Sequence, residues 1–307
     1  MHTILSFLSA CLFLVSVVGC TAPMKGEFPV SEALDEKALL DSSTKLKDMS
    51  ASSHLERGNK SLGRNDLSLA KLHFTLALTK DDSLIEAYLG LGESLMREKK
   101  YGAAKVVLEK ALEKDETCVP AMTKMGILYR TQKEYGEALE SLVWASEMAP
   151  EDPWVMTELA ITYEMSGQGL EAEGYFKKVV ELRPELSVGY NNLGFNYLLL
   201  EKYQDAISVM EIALMLAPKN RIAMNNLALA YALSGEPGKA LQLFGVSVGK
   251  AAAYNNVGYL LMVQNHVQDA ELALARALEA NPLFYARANE NLELLETMRR
   301  GERKLFD

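Results

Sequence analysis

The chain has 307 residues, 49% hydrophobic and 24% charged, which is enough apolar surface for a continuous core and rules out a disordered polymer. Its 32 Lys and Arg against 41 Asp and Glu leave a formal charge of −9, with no basic run to offset it. An acidic chain of this kind is a poor binder of phosphate backbones, so no nucleic-acid partner is expected.

Ile4 to Val18 form an unbroken run of apolar and small residues. The run is too short to span a bilayer as a helix and has the length of a signal-peptide core. It leads into Val17-Val18-Gly19-Cys20, which resembles the bacterial lipobox. Met1-His2-Thr3 lacks Lys or Arg, and Val17 stands where Leu is commoner, so an ordinary cleaved signal or an uncleaved anchor is the other reading. The lipobox resemblance implies a lipoprotein signal over residues 1–19 and lipidation of Cys20 as the mature N-terminus. Thr21, in place of the Asp that marks inner-membrane retention, implies sorting to the outer membrane, with the protein on its periplasmic face. Cys11 then leaves with the signal and Cys118 is the only thiol left, expected as a small buried apolar residue.

Residues 20–50 form the lipidated start and a tether. Thr21 to Pro29 reads as flexible, and Ser31 to Met49, with Leu34, Ala38 and Leu39 on one face, reads as a short helix after a Ser cap. As a coil the tether would span roughly 30 Å.

From residue 51 the chain repeats itself. Pro150, Pro184 and Pro218 recur at 34-residue intervals, in step with Ala138, Ala172 and Ala206, with Tyr129, Tyr163 and Tyr197, and with Met125-Gly126, Leu159-Ala160 and Leu193-Gly194. Small residues in a first helix and alanines in a second let two antiparallel helices approach closely, and Leu142, Phe176 and Met210 fill the remaining space. The proline then ends the second helix. This pattern resembles the tetratricopeptide repeat, and such a unit must stack on its neighbours to bury its face. Extending the register gives copies from 51, 85, 119, 153, 187 and 221 and a last one from 251, so the sixth copy has only 30 residues, about one helical turn fewer than its siblings. The expected fold is all-α: a right-handed superhelical solenoid of about seven helix-turn-helix repeats over 51–284, with a C-terminal capping helix and tail over 285–307.

No catalytic constellation emerges. His2, His54, His73 and His266 fall in unrelated repeats or in the signal, with no pair at metal-ligand spacing, and Gly167-Gln168-Gly169 follows no strand and reads as a turn. Neither an enzyme, a metal site nor a cofactor is expected. The first helices instead carry Asn191, Asn225 and Asn255 at one register position, with Phe195, Leu229 and Tyr259 one turn on. Three stacked carboxamides beside apolar pockets resemble the ladder by which repeat grooves hold an extended peptide, since each amide donates and accepts. These six residues are the candidate peptide-binding groove, and the three asparagines are expected to face solvent. The other reading is a solvated polar stripe.

The end of the chain carries Ala253 to Met262, Asp269-Ala270-Glu271, Asn281-Pro282 and Ala286-Arg287-Ala288-Asn289-Glu290-Asn291-Leu292, and resembles the TadD family of Flp pilus assembly proteins. That resemblance implies an outer-membrane lipoprotein of the Tad pilus and secretion machinery, a pilotin-like scaffold whose partner is a secretin or another assembly component, with the membrane reached through the N-terminal lipid. A generic periplasmic scaffold for another envelope complex, or a regulator of an envelope enzyme in trans, fits the residues as well.

Overall fold

The structure, a computed structural model, describes residues 48–281 and 285–300. The signal-like segment, Cys20, nearly all of the tether, Pro282 and the tail lie outside the described residues. The described chain is built from fifteen helices and contains no strand. It falls into two compact units that divide between Thr162 and Tyr163.

The first unit holds α1 (Ala51–Gly63), α2 (Leu67–Lys80), α3 (Ile85–Arg97), α4 (Tyr101–Lys114), α5 (Val119–Thr131), α6 (Tyr135–Met148) and most of α7 (Pro153–Met165). Odd and even helices pack as hairpins, and α1, α3 and α5 also pack side by side. The reason is local. Ala70, Ala104 and Ala138 are fully buried where the two helices of a hairpin meet, and Phe74, Leu108 and Leu142 fill the space one turn further on. Gly126 shows how tight the contact is, because a Cβ there would lie 2.5 Å from Leu142 Cγ. Each hairpin turn closes the same way. Asn65, Lys99 and Lys133 adopt φ of 59°, 61° and 65°, and their N–H groups donate to the carbonyls of Leu62, Met96 and Arg130. The next N–H in each turn reaches one residue further back, as from Glu134 to Tyr129, which is the Schellman closure of a helix end. Between hairpins, Asp81 and Asp115 accept from the N–H of Ser83 and Thr117 at 3.0 and 2.9 Å, making an Asx turn where later repeats use proline.

The second unit begins in the last turn of α7 and contains α8 (Gly169–Leu182), α9 (Ser187–Leu199), α10 (Tyr203–Leu216), α11 (Arg221–Leu233), α12 (Pro237–Val248), α13 (Lys250–Val263), α14 (Val267–Ala280) and α15 (Tyr285–Arg299). The same grammar holds. Ala172, Ala206, Ala240 and Ala270 are fully buried, and Phe176, Met210, Phe244 and Leu274 fill the hairpins. The positive-φ turn residues are Gly167, Glu201, Gly235 and Asn265, so the interval of 34 drops to 30 at the last step, where the sequence places the short repeat. The missing residues are visible: α12 has 12 residues against 14 in α10. Gly249 alone, at φ 90°, links α12 to α13 where four residues separate α10 from α11. Helix α15 packs on α13 and α14, burying Ala288 and Leu295 while Glu290, Glu293 and Glu296 stay exposed.

These turns lead to a direct test. Nothing lies within 4 Å of a Cβ built on Gly235, so only its φ of 88° resists a side chain there. Gly235→Ala is expected to cost about 1 kcal/mol by denaturant unfolding, and Lys133→Gly to recover a similar amount by relieving the same strain.

Candidate functional site

Within each unit odd-numbered helices pack side by side, and the bonds between them differ in the two units. In the first they are charged: Lys124 Nζ on α5 meets Glu93 on α3 at 2.7 Å, and Arg130 on α5 pairs with Glu158 on α7 at 2.6 Å, while Arg97, on the same helix as Glu93, holds that carboxylate from one turn on at 2.6 Å. Burial pushes the Glu93 carboxyl up, but the hydrogen bonds from Lys124 and Arg97 together outweigh it and hold the group below its ordinary value. In the second unit the lateral bonds are carboxamides. Asn226 Nδ2 donates to Asn191 Oδ1 at 3.0 Å, Asn291 Nδ2 donates to Asn255 Oδ1 at 2.9 Å, and Gln264 donates to the last carbonyls of α11.

This geometry corrects the expectation that Asn191, Asn225 and Asn255 face solvent. They are 9%, 5% and 3% exposed. Each spends its oxygen inside the protein, because burying an amide is tolerable only when its polar atoms are paired. Asn225 accepts from the hydroxyl of Ser247 instead of from a carboxamide of the next repeat, at the place where α12 is shortened. Thr123 and Thr157, at the same register in the first unit, bond back to carbonyls of their own helices. Of the three apolar candidates, Leu229 is buried at 7% exposure, while Phe195 and Tyr259 are half-buried.

What does reach solvent lies one turn earlier. Val188 and Ile222 are 58% and 62% exposed and sit 34 residues apart on α9 and α11. With Asn192 and Phe195, and with Asn226 and Leu229, they follow the i, i+4, i+7 spacing of one helix face. The face they form is apolar with carboxamides and carries no charged side chain on α9. The sequence reading missed Val188 and Ile222, although the 34-residue register contained them.

A cleft of about 650 Å³ lies among α10, α11 and α12, lined by Leu214, Met215, Leu227, Leu243 and Val246. Met215 and Val246 at its rim are 72% and 75% exposed. Inside it, Tyr231 donates its hydroxyl to Glu211, and Lys239 Nζ stands 4.7 Å from the ring centroid. Burial, reinforced by the bond to Glu211, pushes the phenol up to about 12.

The histidines need another correction. His54 and His73 belong to one hairpin and meet in its core, Nδ1 to Nδ1 at 3.0 Å, with 0% and 4% exposure. Nineteen residues separate them, a spacing that only the hairpin makes close. Burial, then the charges of His54 and Arg57, lower the affinity of His73 for a proton. Cys118 is a free, buried thiol that burial pushes up, as expected of a packing residue. Among the described residues no group of three His, Cys, Asp or Glu is placed to hold a metal, and no helix is long and apolar enough to cross a membrane.

The buried asparagines give a test of their own. Asn225→Ala leaves the buried Ser247 hydroxyl only its longer bond to the Phe244 carbonyl, at 3.3 Å, and is expected to cost about 1 kcal/mol in chemical denaturation. Asn192→Ala, half-buried and with no bonded partner among the described residues, should cost well under that.

Tetratricopeptide-repeat family models match residues 85–118 and 196–256. Among solved structures, 428 chains match, so likeness of fold by itself selects no function. A tetratricopeptide-repeat protein from Parabacteroides merdae is 16% identical over 79% of this chain and 98% of its own, with a TM-score of 0.57. PilF of Pseudomonas aeruginosa is 19% identical over 67% of this chain and 95% of its own, with a TM-score of 0.58. PilW, a widely conserved type IV pilus biogenesis factor, is 20% identical over 68% of this chain and 98% of its own, with a TM-score of 0.57. No curated protein matches the sequence. The family matches make residues 85–118 and 196–256 tetratricopeptide repeats, and the hairpins and 34-residue register of the described chain give it the fold of a tetratricopeptide-repeat solenoid.

Proposed function

We propose that this chain is a non-enzymatic scaffold that holds a segment of a partner protein on the α9–α11 face of its second unit. The observation that carries the reading is the exposure of Val188 and Ile222 at one register position, flanked by carboxamides that can bond a peptide backbone. A stable fold gains nothing by exposing two β-branched apolar side chains at a fixed interval, whereas a docking surface does. Because the lateral bonds on this part of the protein are uncharged, the segment it suits is apolar and polar by turns, not strongly charged.

The biological setting in this proposal is the assembly of a Tad-type pilus. Cys20 carries the lipid that anchors the chain to the periplasmic face of the outer membrane, and the partner is the secretin or another assembly component, in a pilotin-like role. The sequence resemblance at the end of the chain supports this, and so does the fold shared with the pilus biogenesis factors PilF and PilW.

One experiment in the native envelope separates the parts. Val188→Asp with Ile222→Asp should leave the protein folded and membrane-associated while reducing secretin co-purification from detergent extracts by at least about tenfold, the equivalent of 1.4 kcal/mol. Cys20→Ser should do the reverse, abolishing fatty-acid labelling and outer-membrane fractionation while leaving binding in solution intact. Undiminished secretin recovery with the double Asp variant would remove the face from consideration. Recovery of some other envelope complex with the wild type would replace the pilus setting.

A further inference from the structure

The carboxyl of Glu164, in the last turn of α7, is turned into the protein. Its Oε1 is sealed from solvent and accepts no hydrogen bond, and the Oδ1 of the fully buried Asn196 on α9 is in the same state. Asn196 is fixed in place, since its Nδ2 donates to the carbonyl of Gly169 at 3.1 Å. The two groups touch, since the Asn196 side chain hydrogen-bonds the Glu164 carboxyl, and a buried polar atom without a partner is costly and a sealed carboxylate without a cation costlier still.

The surrounding charges offer no relief. On α7 itself, Glu158 is taken by Arg130, whose guanidinium also donates to Thr162. On α8, Glu173 binds Lys177 and Lys202, and Tyr175 stacks on Tyr163. Glu171 is exposed, and α9 carries no Asp, Glu, Lys, Arg or His. Among the described residues no cation pairs with Glu164.

We propose that Glu164 is a proton-binding site: the folded protein holds this side chain as the neutral acid, whose Oε1–H donates to Asn196 Oδ1 and latches the end of α7 to α9. The bound proton converts one orphan acceptor into a donor and gives the other its partner. Consistent with this, burial pushes the Glu164 carboxyl up to about 7, even against the opposing hydrogen bond from Asn196.

The linkage has a defined sign. In the unfolded chain the group releases its proton near the ordinary 4.5, while the folded chain keeps it to about 7. Between those values the folded state binds the extra proton, so this group's contribution to stability falls as pH rises through the window and is fully lost above it. The latch is strongest on the acid side of neutrality.

The test uses the full chain with 13C-labelled glutamate carboxyls. One resonance, absent in Glu164→Gln, should titrate with a midpoint near 7. The melting temperature of Glu164→Gln minus that of wild type should grow as pH rises from about 4.5 to about 8, reaching at least about 4 °C. Taking this difference cancels the opposite trend from His73, which both proteins share. If Glu164→Gln does not fold, Glu164→Met serves for the difference and for the assignment. A midpoint near 4.5, or a melting difference that does not change with pH, overturns the proposal. Either result is independent of whether the α9–α11 face binds a partner.

Discussion

The close approach of the two helices inside each hairpin sets the rest of the structure. It requires a side chain no larger than a methyl where the helices touch, which is why Ala70, Ala138, Ala206 and their counterparts are fully buried. Once the backbones are that near, the large side chain one turn on must fill the hairpin from within, as Leu142 does beneath Gly126 and Met210 beneath Gly194. What remains apolar lies on the flanks, and only another hairpin can cover it. The lateral bonds between odd-numbered helices follow from that stacking. In one unit they are ion pairs and in the other carboxamides, which leaves the second with a quieter electrostatic surface.

Much of this was legible in the sequence because stacking makes period equal position. The prolines and alanines gave the hairpins, and the shift from 34 to 30 gave the short repeat, which appears in the structure as a shortened α12 and the single residue Gly249. The candidate site was less legible. Periodicity says that Asn191, Asn225 and Asn255 share a face of their helices, but not that each points sideways at a neighbouring helix and is consumed there. Burial between helices depends on rotation by a fraction of a turn, and a repeat alignment carries no such angle. The same limit explains Val188 and Ile222, which lie in the register but one turn from the residues that drew attention. His54 and His73 were read apart because nineteen residues look distant until a hairpin folds them together.

Two buried groups act against each other in the response of the chain to acid. His73 binds its proton less readily in the fold than outside it, so the unfolded chain gains protons first as pH falls below about 6.5, and the first unit loses stability there. Glu164 has the opposite sense and sits in the second unit. Neither effect follows from the net charge of −9, which is a property of the solvated surface. Between about 4.5 and 6.5 the two groups therefore pull the pH dependence of stability in opposite directions and offset each other.

The link through Gly249 matters most under load. Where α10 passes to α11, four residues lie between the helices and could straighten to a span of at most about 13–14 Å before any helix is disturbed. Between α12 and α13 there is one residue and therefore almost no slack. Tension applied along the chain passes through this joint directly into the helices. The joint then behaves as a rigid coupling in a chain of compliant ones, and extension under force would be expected to begin on either side of it.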